Sequence, residues 1–389
     1  MNDKKNILLC VTGGIAAYKA IDLASALIKN GYNVKTVMTR HACEFVTPIN
    51  FEAITHNTVH TEQFMDNDPI PHITLADWAD MIVVAPATAN ILSKAAQGIG
   101  DDLLSSLLLA HTKPVLFVPA MNVHMYEHPA TVGNVRILRS RSNHVLEPSI
   151  GLLACGYSGK GKYPPNEEVL VAIATYMEHG EDLHGIKCLI TAGATSEAID
   201  PMRMISNKSS GKMGIALARA ATLRGAEVTL IAANPKVTVP YQVHKLISVN
   251  TAQEMHAAVM AEYREQNWII KCAAVSDYRP QSEAIQKIKK GSSLTLELIP
   301  TLDILSELGK LITPAQKLIG FAAETENILS NARAKLIAKN CDLLIANDLK
   351  VAGTDHTDVT IISKDTELAI SGTKIEVANV ILNRIADHE

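Results

Sequence analysis

The 389-residue chain is poor in aromatic residues and carries no strong excess of charge. Aromatic residues make up 4% of the sequence, charged residues 20% and apolar residues 47%, and the net charge is −4. The only basic block is Lys287–Lys290. Because binding to a nucleic-acid backbone usually requires a broad positive face, this composition argues against a nucleic-acid partner. It is typical of an ordinary soluble globular protein.

Long apolar runs and paired cysteines are missing as well. No apolar run reaches the roughly 20 residues that a membrane helix needs, so no membrane partner is expected. The apolar run Ile7–Val11 faintly resembles a signal peptide, but Thr12 and two glycines interrupt it. The six cysteines are scattered, without a CxxC pair or a metal-type spacing. We therefore expect reduced thiols in a cytoplasmic protein.

Two common nucleotide motifs are absent. Thr12-Gly13-Gly14 follows a buried-strand candidate, Asn6–Val11, and opens a helix predicted over 16–30, but the turn lacks GxGxxG. The second strand, Asn33–Thr39, ends without the acidic residue that binds a ribose hydroxyl in dinucleotide folds. These absences disfavour NAD and favour a mononucleotide such as a flavin phosphate. GxxxxGK[ST] is absent too, which argues against a P-loop kinase.

A second unit made of a strand, a glycine turn and a helix start lies near the middle of the chain, at Thr191–Gly214. Such a unit presents free backbone N–H groups and the positive end of a helix dipole to an anion. A chain of this length also exceeds the usual size of a single core. We predict two Rossmann-like, doubly wound α/β domains in tandem, at residues 1–185 and 186–389, joined by the polar segment 178–185.

Polar residues follow two predicted strands of the first half. Thr88 and Asn90 follow one strand, and Asn122 follows the next. Ligands in open α/β sheets bind beyond the carboxyl ends of strands. Each of these residues alone is more often a turn or helix-cap residue, and their joint placement leaves both roles equally open. The lone His72 is more often a solvated or satisfied residue.

Cys155 lies in a segment, 151–162, with four glycines in twelve residues. That composition predicts a mobile loop with little intrinsic structure, which suits a lid. The nearby Lys160 and Lys162 would then lower the pKa of the thiol or hold a substrate phosphate. The alternative, which the spacing alone favours, is a flexible surface loop with an incidental thiol.

Five motifs of the first half occur together in order. They are GGIAAYK at 13–19, PHI at 71–73, PATAN at 86–90 with GDDLL after it, PAMN at 119–122 with Met125 after it, and ACGxxGxG at 154–161. They resemble the flavin-containing cysteine decarboxylases, in particular the phosphopantothenoylcysteine decarboxylases, over roughly residues 5–180. The resemblance implies a flavodoxin-like domain in which FMN oxidises the CH–SH unit of the substrate and so permits the loss of CO₂.

This resemblance also implies roles for single residues. His72 would be the catalytic base and Cys155 the proton donor on the lid. Asn122, with Met125 nearby, would hold the substrate carboxylate. The family's lid usually continues Gly-Arg-Met, whereas this chain has Gly161-Lys162-Tyr163, and we expect Lys162 to supply the charge. The residues implied to bind FMN are Gly14, Ile15, Ala16, Thr39, Pro86, Thr88 and Asn90.

Charged residues of the second half have two interpretations. A lone carboxylate such as Asp277 is more often a helix cap than a ligand, and the lysine run at 287–290 is more often a solvated surface. Three lysines beside a ligand edge would equally neutralise a triphosphate. Lys335 and Lys339 are spaced to lie on one helical face, so they would reach the same anion.

Five motifs carry a second resemblance. They are TAGATSEAIDPMRMISNKSSGKMG at 191–214, AAVSDYRP at 273–280, KIKK at 287–290, GFAAET at 320–325 and KNCDLLIAND at 339–348. They resemble the phosphopantothenate–cysteine ligases over roughly residues 186–389. The resemblance implies that CTP activates the phosphopantothenate carboxylate as an acyl-cytidylate, which the amine of cysteine then attacks.

The second resemblance implies that Asn207 binds the acyl-cytidylate, with Ser210 and Gly211 nearby at a helix start. Lys287 would be catalytic and, with Asp277, would bind the nucleotide and its phosphates. Mg²⁺ is expected to be held largely through the CTP phosphates, with Asp277 as a candidate ligand. The other residues implied for the CTP pocket are Phe321, Lys335 and Lys339.

Together the resemblances imply two steps of coenzyme A biosynthesis on one chain, with phosphopantothenate, cysteine and CTP as substrates. They also imply a homo-oligomer in which decarboxylase trimers are linked by ligase-domain dimers. One alternative is a tandem NAD(P) oxidoreductase, which the missing motifs disfavour. Another is a flavin-binding regulatory subunit. The joint presence of His72, Asn122 and Cys155 disfavours it, because a pure binder needs none of them.

Overall fold

The chain forms two compact units, residues 1–178 and 179–389. The computed structural model describes residues 4–64, 69–234, 239, 243–291, 293–324, 328–348 and 356–387. The sequence-based boundary between residues 185 and 186 falls inside the second unit. Leu183 is buried in the core of that unit, and Asp182 pairs with Arg224, with Oδ2 and Nη2 2.6 Å apart. The polar segment expected to be a linker is therefore partly packed.

The first unit contains β1 (Asn6–Val11), α1 (Tyr18–Lys29), β2 (Asn33–Met38), α2 (Pro48–Thr55), β3 (Val59–His60), α3 (Pro71–Trp78), β4 (Met81–Ala87), α4 (Ala89–Gln97), α5 (Leu103–Ala110), β5 (Val115–Pro119), α6 (Val123–Tyr126), α7 (Pro129–Ser140), β6 (His144–Val145), β7 (Ser149–Leu152), β8 (Ser158–Lys162) and α8 (Asn166–Glu178). Six parallel strands form one sheet in the order β3-β2-β1-β4-β5-β6, and β7 pairs with β8 in a separate hairpin. The order reverses between β1 and β4, which is where ligands bind in open α/β sheets.

The first βαβ unit forms as its residue pattern predicts. Helix α1 buries Ala20, Leu23, Ala24 and Leu27, which recur at helical spacing on one face. All seven residues of β4 are buried, as expected for a strand with helices on both faces of its sheet. These buried runs hold the polar loops of the sheet at a common edge.

The second unit contains β9 (Lys187–Gly193), β10 (Ser196–Asp200), β11 (Arg203–Ser206), α9 (Lys212–Leu223), β12 (Glu227–Ala233), β13 (Lys245–Val249), α10 (Ala252–Glu262), β14 (Trp268–Lys271), β15 (Tyr278–Pro280), β16 (Leu298–Pro300), α11 (Ile304–Leu311), β17 (Lys317–Glu324), α12 (Ile328–Ala338), β18 (Leu343–Asp348), β19 (His356–Ile362), β20 (Glu367–Thr373) and α13 (Lys374–Ala386). Its main sheet has the order β13-β12-β9-β14-β17-β18-β19-β20. The strands are parallel from β13 to β18, and β19 and β20 continue the sheet antiparallel. The order reverses between β9 and β14.

Each face of this second sheet has its own apolar core. Side chains of α9 and α13 pack on one face, and side chains of α10, α11 and α12 pack on the other. Two doubly wound α/β units in tandem are therefore confirmed. Within the described ranges, no helix is both long and apolar enough to cross a membrane.

The glycine-rich segment 151–162, which the sequence predicts to be a loop, forms part of a hairpin instead. The segment contributes to β7 and β8, and residues 196–206 form a second hairpin, β10 and β11. Pro201 lies in the turn between β10 and β11. The turn closes because the buried Asp200 carboxylate accepts hydrogen bonds from the backbone N–H groups of Met202 and Arg203, at 2.8 and 2.9 Å.

Gly193 ends β9 with φ +87°, and a side chain at this position would meet the backbone carbonyl of Ala233. We expect Gly193→Ala to destabilise the second unit by about 1 kcal/mol for the left-handed backbone plus about 1–3 kcal/mol for the crowding. The matched control is Gly185→Ala, because Gly185 has φ +85° and a Cβ added there would have no heavy atom within 4 Å.

The free energy of unfolding of both variants is measured by urea denaturation. Trp268 is buried in the second unit, so its fluorescence reports that unit once the other tryptophan, Trp78, is replaced by Phe. Equal free energies of unfolding for the two glycine variants would contradict the close approach of β9 and β12.

Candidate active sites

The glycine turn after β1 and the PATAN segment after β4 meet at the first strand-order reversal. The Thr12 hydroxyl donates to the carbonyl of Pro86 at 2.7 Å and accepts from the N–H of Thr88 at 3.2 Å. A Cβ on Gly14 would lie 3.7 Å from the Thr88 methyl group. Three of the residues predicted to bind FMN, Gly14, Pro86 and Thr88, are thus brought together.

The other predicted FMN residues flank this edge. Ile15 and Ala16 belong to a short 3₁₀ turn, Ile15–Ala17, and the Ile15 side chain is 64% exposed. Thr39 follows β2, and its N–H donates to the carbonyl of Val11 at the end of β1, at 3.0 Å. Asn90 is exposed in the first turn of α4. A helical turn start, hydroxyl and amide groups and an exposed apolar side chain therefore surround the edge.

Thr88 and Asn122 both proved to be helix caps as well as strand-end residues. The Thr88 hydroxyl accepts from the N–H of Ile91 at 3.4 Å, and the Asn122 carbonyl oxygen accepts from the N–H of His124 at 2.8 Å. The cap role is therefore confirmed for both residues, and their role in ligand binding stays a prediction. The cap fixes the side chain of each residue at the edge of the sheet.

The β7–β8 hairpin lies over the segment after β5. The Met121 N–H donates to the Gly161 carbonyl at 3.0 Å, and a side chain at Gly161 would meet the carbonyl of Met121. A Cβ at Gly159 would lie 2.7 Å from a Val123 methyl group. The glycines therefore permit a close approach of the hairpin rather than leave the segment without structure.

This approach brings Asn122 and Cys155 together. The Asn122 amide nitrogen donates to the Cys155 sulfur at 3.2 Å. The backbone N–H of Tyr157 and the Asn122 side chain stabilise the thiolate, and both lower the pKa of the exposed Cys155 thiol. Met125 lies on α6, three residues after Asn122, with half of its side chain exposed.

The lysines of the hairpin do not explain the low pKa of this thiol. Lys160 instead pairs with Glu147, with Nζ and Oε2 2.6 Å apart. Glu147 also accepts from Tyr126 at 2.7 Å and from Arg139 at 2.5 Å. The expectation that Lys160 lowers the pKa of Cys155 is therefore wrong, because the ammonium group of Lys160 pairs with Glu147 instead.

His72 occupies the second position of α3. Its Nδ1 atom is buried and has no hydrogen-bond partner within the described part of the chain. In that part, no hydrogen bond joins His72 to Asn122 or Cys155. A buried ring nitrogen without a partner is uncommon, and such exceptions occur at catalytic and ligand sites.

In the second unit, the loop before α9 is tied to the segment after β14. The Asn207 amide donates to the carbonyl of Val275 at 3.2 Å, and the Thr191 hydroxyl accepts from the N–H of Ala273 at 3.0 Å. Gly211 caps α9 with φ +77°, and the Ser210 hydroxyl accepts from the N–H of Lys212 at 3.4 Å. Asn207, Ser210 and Gly211 therefore lie in one loop at the second strand-order reversal.

Lys287 lies beside the β10–β11 hairpin. The N–H of the next residue, Ile288, donates to the Asp200 carboxylate at 3.1 Å, and Arg203 donates to the Ile288 carbonyl at 3.3 Å. Burial opposes the ionisation of Asp200, but the surrounding backbone N–H groups and Arg203 outweigh it and hold its pKa below the usual range. The Lys287 side chain itself is exposed.

The residues predicted for the CTP pocket divide between the two faces of the sheet. Lys339 pairs with Asp303, the N-cap of α11, with Nζ and Oδ2 2.6 Å apart. The positive charge of Lys335 attracts the same carboxylate. Phe321 is half-buried and packs against the core on the opposite face, formed with α9 and α13. Asp277 is exposed between β14 and β15.

Sequence reasoning missed one charged residue at this edge. Lys271 ends β14, is 8% exposed, and interacts electrostatically with Asp303, Lys335 and Asp277. The signal was a lysine that closes the otherwise apolar strand Trp268–Lys271. No group of three or more metal-ligating His, Cys, Asp or Glu side chains occurs among the described residues.

Two family models together match nearly the whole chain, one in each half. The model described as flavoprotein matches residues 1–178, and the model of the DNA/pantothenate metabolism flavoprotein C-terminal domain matches residues 183–388. The coenzyme A biosynthesis bifunctional protein CoaBC of Bacillus subtilis (strain 168) is 47% identical over 99% of this chain and 98% of its own length. The chain belongs to this bifunctional family.

A further curated relative matches over a similar length, and one solved structure matches about half of the chain. The CoaBC protein of Haemophilus influenzae (strain Rd) is 41% identical over 98% of this chain and 97% of its own length. The crystal structure of the C-terminal domain of a CoaBC protein is 41% identical, covers 53% of this chain and 96% of its own, and has a TM-score of 0.45. By its family match the first unit is a flavoprotein domain, and the donor groups around Gly14 and Thr88 fit a flavin cofactor.

The Asn122 amide makes a testable contribution to the Cys155 thiolate. We expect Asn122→Ala to raise the pKa of Cys155, because one of the donors that stabilise the thiolate is lost. Asn122→Asp keeps the cap on His124 but replaces the donor with a negative charge, so it should raise the pKa further. The rate at which iodoacetamide alkylates Cys155, followed by peptide mass spectrometry against pH, measures the shift.

The half-buried Cys43 serves as the internal control in the same digests, since its alkylation profile should not respond to either change. An unchanged Cys155 profile in both Asn122 variants would show that Asn122 does not support the thiolate.

Proposed function

We propose that this chain performs two consecutive steps of coenzyme A biosynthesis: a CTP-dependent ligation in the second unit and an FMN-dependent decarboxylation in the first. The ligation joins cysteine to 4′-phosphopantothenate, and the decarboxylation converts the product to 4′-phosphopantetheine. The observation that carries the proposal is the Asn122–Cys155 hydrogen bond at the ligand edge of a flavoprotein domain.

In the first unit, the N–H groups at Gly14, Ile15 and Ala16 would bind the flavin phosphate, since the first N–H groups of a helical turn lack internal partners. When bound, FMN would supply reversible two-electron chemistry: the electrons accepted from the substrate before CO₂ leaves return to the product afterwards, so there is no net oxidation. The remaining residues proposed to hold the cofactor are Thr39, Pro86, Thr88 and Asn90.

The proton transfers fall to three side chains of the same unit. His72 would accept a proton from the substrate, in keeping with its unpartnered Nδ1. The Asn122 amide has two N–H donors, so it would bind the substrate carboxylate with one while the other supports Cys155. Cys155, whose pKa is lowered, would return a proton to the product, with Met125 beside the substrate.

In the second unit, the phosphopantothenate carboxylate would attack the α-phosphorus of CTP and release pyrophosphate. The amine of cysteine would then attack the acyl carbon and release CMP. Asn207, Ser210 and Gly211 would bind the acyl-cytidylate, and Lys287 would neutralise charge on the transferring phosphoryl group. Mg²⁺ would be held through the CTP phosphates, with Asp277 as its protein ligand. The nucleotide pocket would be completed by Phe321, Lys335 and Lys339.

The substrates of this proposal are small molecules, and the product of the second unit is the substrate of the first. The proposal includes a cytoplasmic homo-oligomer in which trimers of the first unit are linked by dimers of the second. Light scattering after size exclusion tests that assembly.

Purified protein supplied with phosphopantothenate, cysteine, CTP and Mg²⁺ tests the activity, with products followed by mass. Absence of both the cysteine adduct and its decarboxylated form would refute the proposal.

Two single substitutions should separate the activities. Cys155→Ser should let the adduct accumulate while slowing the release of decarboxylated product by about 100-fold or more, because a proton donor is lost. Asn207→Asp should slow adduct formation by about 100-fold, because a carboxylate repels the acyl-cytidylate, while supplied adduct is decarboxylated normally.

Cys43→Ser is the matched control for the first variant, since Cys43 is a free, half-buried thiol of the same unit. If either variant instead impaired the activity of the other unit, the assignment of the two reactions to the two units would be reversed.

A further inference from the structure

Lys271 occupies the central position of the second unit's ligand edge. It is the last residue of β14, and its neighbours across the sheet are Thr191 on β9 and Gly320 on β17. The strand order reverses between β9 and β14. This is the crevice in which open α/β sheets bind their ligands.

The side chain points to the face covered by α10, α11 and α12. Residues two apart on a strand share a face, and Ile269 packs in that core together with Leu189 and Leu318. Lys271 is 8% exposed. Its charge is therefore almost fully withdrawn from bulk water.

The environment of Lys271 contains charges but no bonded partner. Asp303 and Asp277 attract its ammonium group and Lys335 repels it, while burial lowers the pKa of Lys271 to about 8. Within the described residues, its Nζ atom makes no hydrogen bond or ion pair. The neighbouring Lys339 differs, because it pairs directly with Asp303 at 2.6 Å.

A buried ammonium group without an acceptor is costly, since it offers three donors and accepts nothing. It stabilises the fold less than a hydrophobic residue of similar size would. Apolar residues fill the rest of β14, so the fold alone does not require a lysine at this position. An incoming ligand with an acceptor oxygen would satisfy the group.

We propose that Lys271 is a nucleotide-binding residue of the second unit and that its ammonium group donates a hydrogen bond to an oxygen of the base or ribose. The nucleotide class rests on the proposed function. The exposed Lys287 and the half-buried Lys335 suit the hydrated triphosphate with its Mg²⁺. The buried position of Lys271 suits the nucleoside part, which sheds its water more easily.

The test compares nucleotide affinity in the full-length protein and its variants. Lys271→Met keeps the length of the side chain and removes the ammonium group. Lys310→Met is the matched control, because Lys310 is an exposed lysine on α11. Isothermal titration with CTP and with CMP gives Kd for each protein, and thermal melting shows whether each variant is folded.

We expect Lys271→Met to raise Kd at least tenfold for CTP and by a similar factor for CMP, with a melting temperature equal to or above that of the parent. Lys271→Arg, which restores donors, should recover part of the loss. Unchanged affinities would overturn the proposal, as would a loss confined to CTP, since that would place Lys271 on the phosphates. A Lys271→Met variant with a lowered melting temperature and an unchanged Kd would show that Lys271 has a structural role only.

The same titrations separate this inference from the proposed function. If the parent protein binds a different nucleoside triphosphate and not CTP, the CTP assignment fails, and the comparison is made with that nucleotide and its monophosphate. If the parent binds no nucleotide, both proposals fail. If it binds CTP and Lys271→Met binds it equally well, only the role of Lys271 fails.

Discussion

In each unit, a buried threonine hydroxyl bridges the two central strands at the edge that carries the proposed binding residues. Thr12 joins β1 to the loop after β4, and Thr191 joins β9 to the segment after β14. Thr88 and Ala273, whose N–H groups donate to these hydroxyls, lie just beyond the ends of β4 and β14. Each bond contributes only about 1 kcal/mol, but each holds the start of a loop that carries proposed binding residues. These two contacts therefore join the loops of both candidate sites to the central strands.

Much of this arrangement could be predicted from the sequence because it follows from local rules. Buried apolar runs predict the strands, helical spacing predicts α1, and the glycine turns mark the points where helices begin. Thr88 and Asn122 could be placed at the ligand edge because the carboxyl ends of parallel strands meet there. The cap role that competed with this interpretation proved to be compatible with it, since a capped side chain stays at the edge of the sheet.

The parts that could not be predicted depend on partners distant in sequence or on close backbone approach. Lys160 pairs with Glu147, and no pattern in the glycine-rich segment points to that carboxylate. The same glycines predict disorder when taken alone, whereas Gly159 and Gly161 are required by the proximity of Val123 and Met121. Lys271 was overlooked because a strand-ending lysine is usually solvated, and its burial follows only from the packing of α11 and α12.

Glu147 has a consequence for how a small molecule could enter the first site. It fastens β8 through Lys160, α6 through Tyr126 and α7 through Arg139, so the base of the β7–β8 hairpin is anchored to the body of the unit. Only the turn between Leu152 and Ser158, which carries Cys155, lies outside this anchorage. Displacement of that turn alone would break the Asn122–Cys155 hydrogen bond and leave the anchored base of the hairpin in place.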